Sequence, residues 1–227
     1  MGYRIALHYN SSAGPAEEAA SEFRQKGAQV ELFPWDLARP DVSELIQAVT
    51  ERFEDLNVLV NSASVYDQAD IRGTDAELFD RQMNVNLRAP YLLTRAFAEH
   101  AGGGNVVNIV DNKIAYNQNK YAAYLLSKKS LAEFTRLAAL EFAPAIRVNG
   151  IAPGVVLPAE GRSAEYIAWR EQGIPLKRKG SPDNLNRALK FILENDFVTG
   201  QVLMIDGGES LTNTGLNAAS FPGKADT

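Results

Sequence analysis

Short apolar runs alternate with longer amphipathic ones along nearly the whole chain, and few folds accommodate that order. Strand-like runs fall at residues 3–8, 30–33, 57–61, 105–110, 146–151 and 201–205. Helical patterns cover 15–26, 42–55, 79–100, 121–142 and 184–194. Pro15 suits a first helical position, with Glu17 and Glu18 in the first turn and Gly27 as the stop. Asp41 is placed to cap the run of Val42, Leu45, Ile46, Val49 and Phe53. Strands alternating with helices predict an α/β fold, a doubly wound, mostly parallel sheet with helices on both faces. With no internal repeat or linker, the chain reads as one domain over 1–211 and a loose polar tail over 212–227.

Composition narrows the classes of function. A net charge of −5 offers no basic field to nucleic acid or to an anionic membrane. Lys177-Arg178-Lys179 is short enough to be a solvated loop. No apolar stretch approaches a membrane span and no signal peptide opens the chain, so the default compartment is the cytoplasm. Without cysteines, and with only His8 and His100, far apart, no metal site is expected.

In a doubly wound sheet, chemistry gathers at the carboxyl ends of strands. Asp36, Asn61-Ser62-Ala63-Ser64, Asp111 and Pro153-Gly154 all follow strand-like runs, although each is also an ordinary turn residue. Tyr124 and Lys128 stand four apart in an amphipathic run containing Leu125, Leu131, Phe134 and Leu137, and so share a helix face. A lysine beside a phenol is expected to favour phenolate and lower a pKa that starts near 10. Tyr116 and Lys120 repeat the spacing among poor helix formers, where no shared face is expected.

The order Asn61-Ser-Ala-Ser64, Asn86, Asp111, Tyr124-x-x-x-Lys128, Arg147-Val-Asn149, Pro153-Gly154 and Asp206-Gly-Gly208 resembles the short-chain dehydrogenase/reductase family from Gly2 to about Asn213. The resemblance implies a Rossmann-like fold and hydride transfer from a nicotinamide to an unsaturated carbon of a small molecule. It makes Tyr124 the proton donor, Lys128 the residue that holds the ribose and tunes Tyr124, and Asn86 the support of a proton relay. It assigns Asp36 to the adenine, Asn61, with Ser62 and Ala63, to the sheet beside the cofactor, and Pro153, Gly154 and Val156 to further cofactor contacts. It also implies a homodimer or homotetramer built on the 79–100 and 121–142 helices.

Two departures from the family pattern carry information. Most members have serine where this chain has Asp111; a carboxyl there suits ring N–H groups or a nitrogen that must be protonated. That aspartate is similar to the one in pteridine and dihydromonapterin reductases. Leu7-His-Tyr9, Ala89-Pro-Tyr-Leu-Leu93 and Gly207–Thr212 look like segments of the same group, and Tyr66 falls where an aromatic ring would lie against the pterin. The family's opening strand, glycine-rich turn and helix, roughly 20–25 residues, have no counterpart before residue 3. Gly102-Gly-Gly104 and Gly207-Gly208 lack the strand–turn–helix context to replace them. Either Met1 is an internal methionine, which the otherwise intact residue set favours, or the chain is a degenerate, non-catalytic relative that only binds partners. In either case the chain alone is expected to bind cofactor weakly.

After the first strand, Tyr9-Asn10-Ser11-Ser12 has no carboxylate to repel a 2′-phosphate, and Asn10 and Ser11 can donate to one, which favours NADPH. Residues 155–181 are expected to cover the substrate, with Leu157, Tyr166, Ile167 and Trp169 on a short helix and Arg162, Glu165 and Arg170 beside them. Two enzymatic readings stand: reduction of a pterin-like ring, or of a carbonyl or hydroxyl substrate such as a 3-oxoacyl thioester or a sugar.

Overall fold

The computed structural model describes residues 2–157, 161–212, 216 and 220–223. All six expected strands form: β1 Ile5–Tyr9, β2 Val30–Pro34, β3 Val58–Asn61, β4 Gly104–Ile109, β5 Ile146–Pro153 and β6 Val202–Ile205. Every ladder is parallel, as β-strands joined through helices require. The sheet is in two pieces, β1-β2 and β3-β4-β5-β6, with a gap between β1 and β3.

Helices flank both faces. Period-two alternation in β4 sends Val106 to one face, where it packs with Phe97, Leu131 and Val148. Its neighbour Val107 faces the other way, against Ile151, Ala188 and Ile192. Val106, Val107, Val148 and Ile192 are fully buried, and burying such a side chain contributes about 1.5–3 kcal/mol. Helices α4 (Ala89–His100) and α5 (Ala122–Phe142) thus cover one face and α7 (Pro182–Glu194) the other. This is the doubly wound α/β architecture that the alternation predicts.

Several local expectations are corrected. Helix α1 begins at Ala13, so Pro15 is its third residue, and Glu17 and Glu18 lie beyond the first turn. Helix α2 is shorter than its pattern, Glu44–Thr50, and Asp41 does not cap it: its carboxylate pairs with Arg39 at 2.8 Å. The apolar residues predicted for that helix are still buried, because turns on either side carry Val42 and Phe53 into the same core. The run at 79–100 is not one regular helix. Helix α3 (Ala76–Met83), capped by Asp75, passes through a π-helical turn at Asn84–Arg88 into α4. The π turn re-aims Asn86 without ending the helix, as such bulges do at functional sites. Of the predicted tail, residues 213–215, 217–219 and 224–227 lie outside those described, as do 158–160 of the predicted cover and Met1. Within that tail, Phe221 packs on Trp169 with ring centroids 5.2 Å apart.

Candidate active site

Asp111 lies two residues past the end of β4, and its carboxylate caps the short 3-10 turn Asn112–Ala115 by accepting from the Lys113 amide at 2.8 Å. The ordinary turn role and a chemical one are therefore compatible, since the other oxygen is free for a different partner. That partner is Tyr124, on the first turn of α5, whose hydroxyl donates to Asp111 Oδ2 at 2.6 Å. Both residues line a cavity of about 270 Å³ together with Tyr66, Lys113, Gly154, Val156, Arg162, Tyr166 and Arg170.

Lys128 lies one turn along the same helix face, yet it does not act on the phenol as the spacing predicted. Its Nζ donates to the Ile109 carbonyl at 2.9 Å and sits 6.0 Å from the Tyr124 ring centre. Burial raises the Tyr124 pKa above the ordinary phenol value, and the Asp111 charge and hydrogen bond push it the same way. The expected lowering is overturned because burial outweighs it and the nearest charge is the Asp111 carboxylate, which acts in the same direction. Burial instead lowers Lys128 to about 8, with Asp111 partly restoring it.

Asn86 is fully buried and fully engaged. Its Nδ2 donates to Val65 O at 2.9 Å, Gln82 Oε1 at 3.0 Å and Ser127 Oγ at 3.2 Å, while its Oδ1 accepts from Val65 N at 2.9 Å. It pins the loop after β3 that carries Tyr66 to the helix that carries Tyr124. Tyr66 then stacks on Tyr121, with ring centres 4.6 Å apart and planes 8° apart, and stands edge-on to Tyr124. Lys113 Nζ donates to the Tyr66 hydroxyl at 2.7 Å.

Asn61 donates to Asn108 Oδ1 at 2.8 Å, and Asn108 donates in turn to Thr135 at 2.9 Å, tying the ends of β3 and β4 to α5. Asn61 Oδ1 is buried with no partner. Ser62 and Ala63 continue from β3 along the gap in the sheet. Asp36 accepts from Ala38 N at 2.9 Å and lines a separate surface hollow with Asn10; Ser11 is exposed beside it. Pro153 ends β5, and the Gly154 amide donates to Ile205 O at 3.1 Å. A Cβ on Gly154 would meet Asp206 at 2.8 Å, so only glycine fits that approach.

Helix α6 (Ala164–Gly173) supplies the cover, with Tyr166, Ile167 and Arg170 on the cavity side. Leu157 is not on it but precedes it, and is 75% exposed. What fastens the helix escaped the sequence reading. Arg170 pairs with Glu209 at 2.7 Å, both side chains being almost fully buried, and Glu209 also accepts from Asn112 at 2.9 Å. Glu209 stands in the Gly207–Thr212 segment and Ser127 beside Lys128, but no local pattern gives either of them, or Lys113, its role. Only the close packing of chain segments up to about a hundred residues apart identifies them.

A nicotinamide cofactor fits one end of this site. Asn61 with its unpartnered oxygen, Gly154, and Tyr124 with Lys128 stand at or beside the carboxyl ends of β3, β4 and β5, where such a sheet holds a nicotinamide. Among the described residues no glycine-rich strand–turn–helix supplies N–H groups for a pyrophosphate. Also among them, no cluster of His, Cys, Asp and Glu could hold a metal, and no helix is long and apolar enough to cross a membrane.

Comparison with known proteins places these observations. Residues 1–210 match the family model described as enoyl-(acyl carrier protein) reductase. The chain is 31% identical over 211 residues to an uncharacterized oxidoreductase of Mycobacterium tuberculosis, covering 88% of this chain and 80% of that one. It is 27% identical to galactitol 2-dehydrogenase of Agrobacterium fabrum, covering 92% of this chain and 98% of that enzyme. Among solved structures, the FolM alternative dihydrofolate reductase 1 of Brucella suis, in complex with NADP, superposes with a TM-score of 0.87 at 32% identity. That match covers 92% of this chain and 85% of the other.

Proposed function

Since the chain belongs to the short-chain dehydrogenase/reductase family and is an NAD(P)-dependent oxidoreductase, we propose that it reduces a pterin-like ring with NADPH in the cytoplasm. The catalytic unit is residues 1–211. The reading rests above all on the hydrogen bond between Tyr124 and Asp111 at the cavity wall, 2.6 Å long. It is supported by the likeness to a protein titled as an alternative dihydrofolate reductase that binds NADP.

When bound, the cofactor supplies a hydride to the substrate carbon. The remaining chemistry belongs to this chain. Tyr124 delivers a proton to the neighbouring nitrogen; its raised pKa keeps the phenol in its protonated form at neutral pH. Asp111 orients that phenol and accepts from substrate N–H groups, where a serine would instead donate its hydroxyl to a carbonyl oxygen. Tyr66 presents an aromatic wall to a flat ring, held by Tyr121 and Lys113. Asn86 fixes the loop carrying Tyr66. Lys128, with Asn61, Ser62, Ala63, Pro153, Gly154 and Val156, would hold the nicotinamide and ribose. Asn10, Ser11 and Asp36 face the adenine end. Helix α6 excludes water from the transfer.

A second reading, oxidation or reduction of a hydroxyl or carbonyl substrate, is favoured by the full-length similarity to galactitol 2-dehydrogenase. Asp111→Ser separates the two. The substitution should depress NADPH-dependent reduction of dihydropterin and spare or raise reduction of a simple ketone. Equal losses on both substrates would assign Asp111 a structural role and sink the pterin reading.

A further inference from the structure

The candidate cavity carries more positive charge than the transfer chemistry uses. Among the described residues its lining holds Lys113, Arg162 and Arg170 against one carboxylate, Asp111. Glu209 balances Arg170 from behind at 2.7 Å. Lys113 has a neutral partner instead, since its Nζ donates to the Tyr66 hydroxyl at 2.7 Å. An ammonium has three protons to give, and this bond uses one. The chain as a whole carries a net charge of −5, so cations gathered at one cavity are a local feature.

Lys113 is anchored to the residue that would read the ring. Its amide donates to Asp111 Oδ1 at 2.8 Å and its carbonyl accepts from Tyr116 N at 2.9 Å. The 3-10 turn therefore fixes its backbone, and only the side chain adjusts. Its Nζ stands 4.4 Å from the centre of the Tyr66 ring and 5.5 Å from that of Tyr121. Arg162 lies across the cavity, with its guanidinium carbon 5.3 Å from the Tyr166 ring centre. Burial raises the Tyr121 phenol above its ordinary pKa, and Lys113 and Arg162 both pull against that rise, so both cations act at the Tyr121 end.

We propose that Lys113, joined by Arg162, forms a subsite for an oxyanion on a short side chain of the substrate, a carboxylate or phosphate monoester one or two atoms from the ring. The inference rests on the pterin reading and narrows it to acidic substrates. Adding a charge-assisted bond of about 2.8 Å to the 4.4 Å separation puts the anion within about 7 Å of the Tyr66 ring centre. A bicyclic ring laid against Tyr66 takes up much of that distance itself. The linker is therefore short, and a long tail overshoots Nζ. Enclosure by the cavity wall strengthens the attraction over that in open solvent.

Calorimetry on the full chain, without cofactor and at low salt, tests the subsite with three ligands built on one dihydropterin ring. One carries a 6-hydroxymethyl group, the second its phosphate monoester, and the third a 6-carboxymethyl group. The two acids should bind about tenfold or more tighter than the alcohol, and the advantage should shrink in about 0.5 M salt. Lys113→Met should remove most of that ratio and Lys113→Arg should keep it. Loss of the hold on Tyr66 affects all three ligands alike and cancels in the ratio. Whichever acid binds tighter identifies the oxyanion, and either result supports the subsite. Equal binding of all three ligands by the wild-type chain overturns the subsite and leaves the pterin reading standing, as does a ratio unchanged in Lys113→Met. Binding of none of the three overturns the pterin reading and the subsite with it.

Discussion

Tyr124 donates its hydroxyl proton to Asp111 across 2.6 Å, while Lys128, on the same helix face, turns away to the Ile109 carbonyl. The phenol is held by a negative charge from β4 and not by the positive one that its own helix offers. Removing the hydroxyl should therefore act on chemistry and leave the fold nearly intact. Tyr124→Phe should lower NADPH-dependent turnover by about a hundredfold or more with little change in NADPH affinity. Tyr116→Phe should do little. Steady-state kinetics with dihydropterin decides it; a reversal of the two effects would move the proton donor to the other tyrosine.

Lys128 gives a pH signature. Its folded pKa, about 8, lies below the 10.5 of a free lysine, so the unfolded chain binds more protons between those values. The burial penalty, about 3 kcal/mol, is full below pH 8 and disappears as pH rises past 10.5. Stability from this group therefore increases with pH over that window. In Lys128→Met the increase should vanish, and the variant should be the more stable protein at pH 7. Urea unfolding at pH 7 and pH 10 measures both; an unchanged pH slope would refute the assignment.

Arg170 and Glu209 form a buried pair that fastens α6 to the end of the sheet. Glu209→Gln leaves the guanidinium without its counter-charge and should cost about 3–5 kcal/mol, seen as a lower denaturant midpoint. Replacing both, Arg170→Met with Glu209→Leu, should recover most of that loss. If the double variant is no more stable than the single one, packing and not charge fastens the helix.

Leu137 and Leu140 of α5 and Tyr91 of α4 are exposed by 64%, 80% and 52% around a hollow on one helical face. Such a patch suits self-association. Leu137→Glu with Leu140→Glu should shift the protein to monomer in sedimentation measurements while leaving its circular dichroism unchanged. A wild-type protein already monomeric at micromolar concentration would remove this face as an interface.

Cofactor binding is expected to be weak in the protein alone. One end of the site is supplied by Tyr124, Lys128 and Gly154, but no described turn offers N–H groups to a pyrophosphate. Calorimetry should give a dissociation constant for NADPH above about 100 μM, a loss of several kcal/mol against the nanomolar to micromolar range. Tight binding would mean that other groups neutralise the phosphates.

The strands and the chemistry-bearing positions were legible in the sequence for a local reason. Period-two alternation around Val106 and Val107, and the spacing of Leu125, Leu131 and Phe134, follow from which faces must be buried, and burial is written residue by residue. The parallel, doubly wound order follows because each strand returns through a helix. Tyr124, Lys128 and Asp111 could be picked out on the same basis, since they sit where strands end and a helix begins. Which of them meet was decided only in three dimensions. Lys128 is four residues from Tyr124 and Asp111 thirteen, yet the fold sets the carboxylate against the phenol, because β4 ends beneath the first turn of α5. The Arg170–Glu209 lock and the bonds of Asn86 to Val65 and Ser127 are likewise tertiary facts. Each depends on segments far apart in the chain being brought within hydrogen-bond reach, and no local pattern encodes that distance.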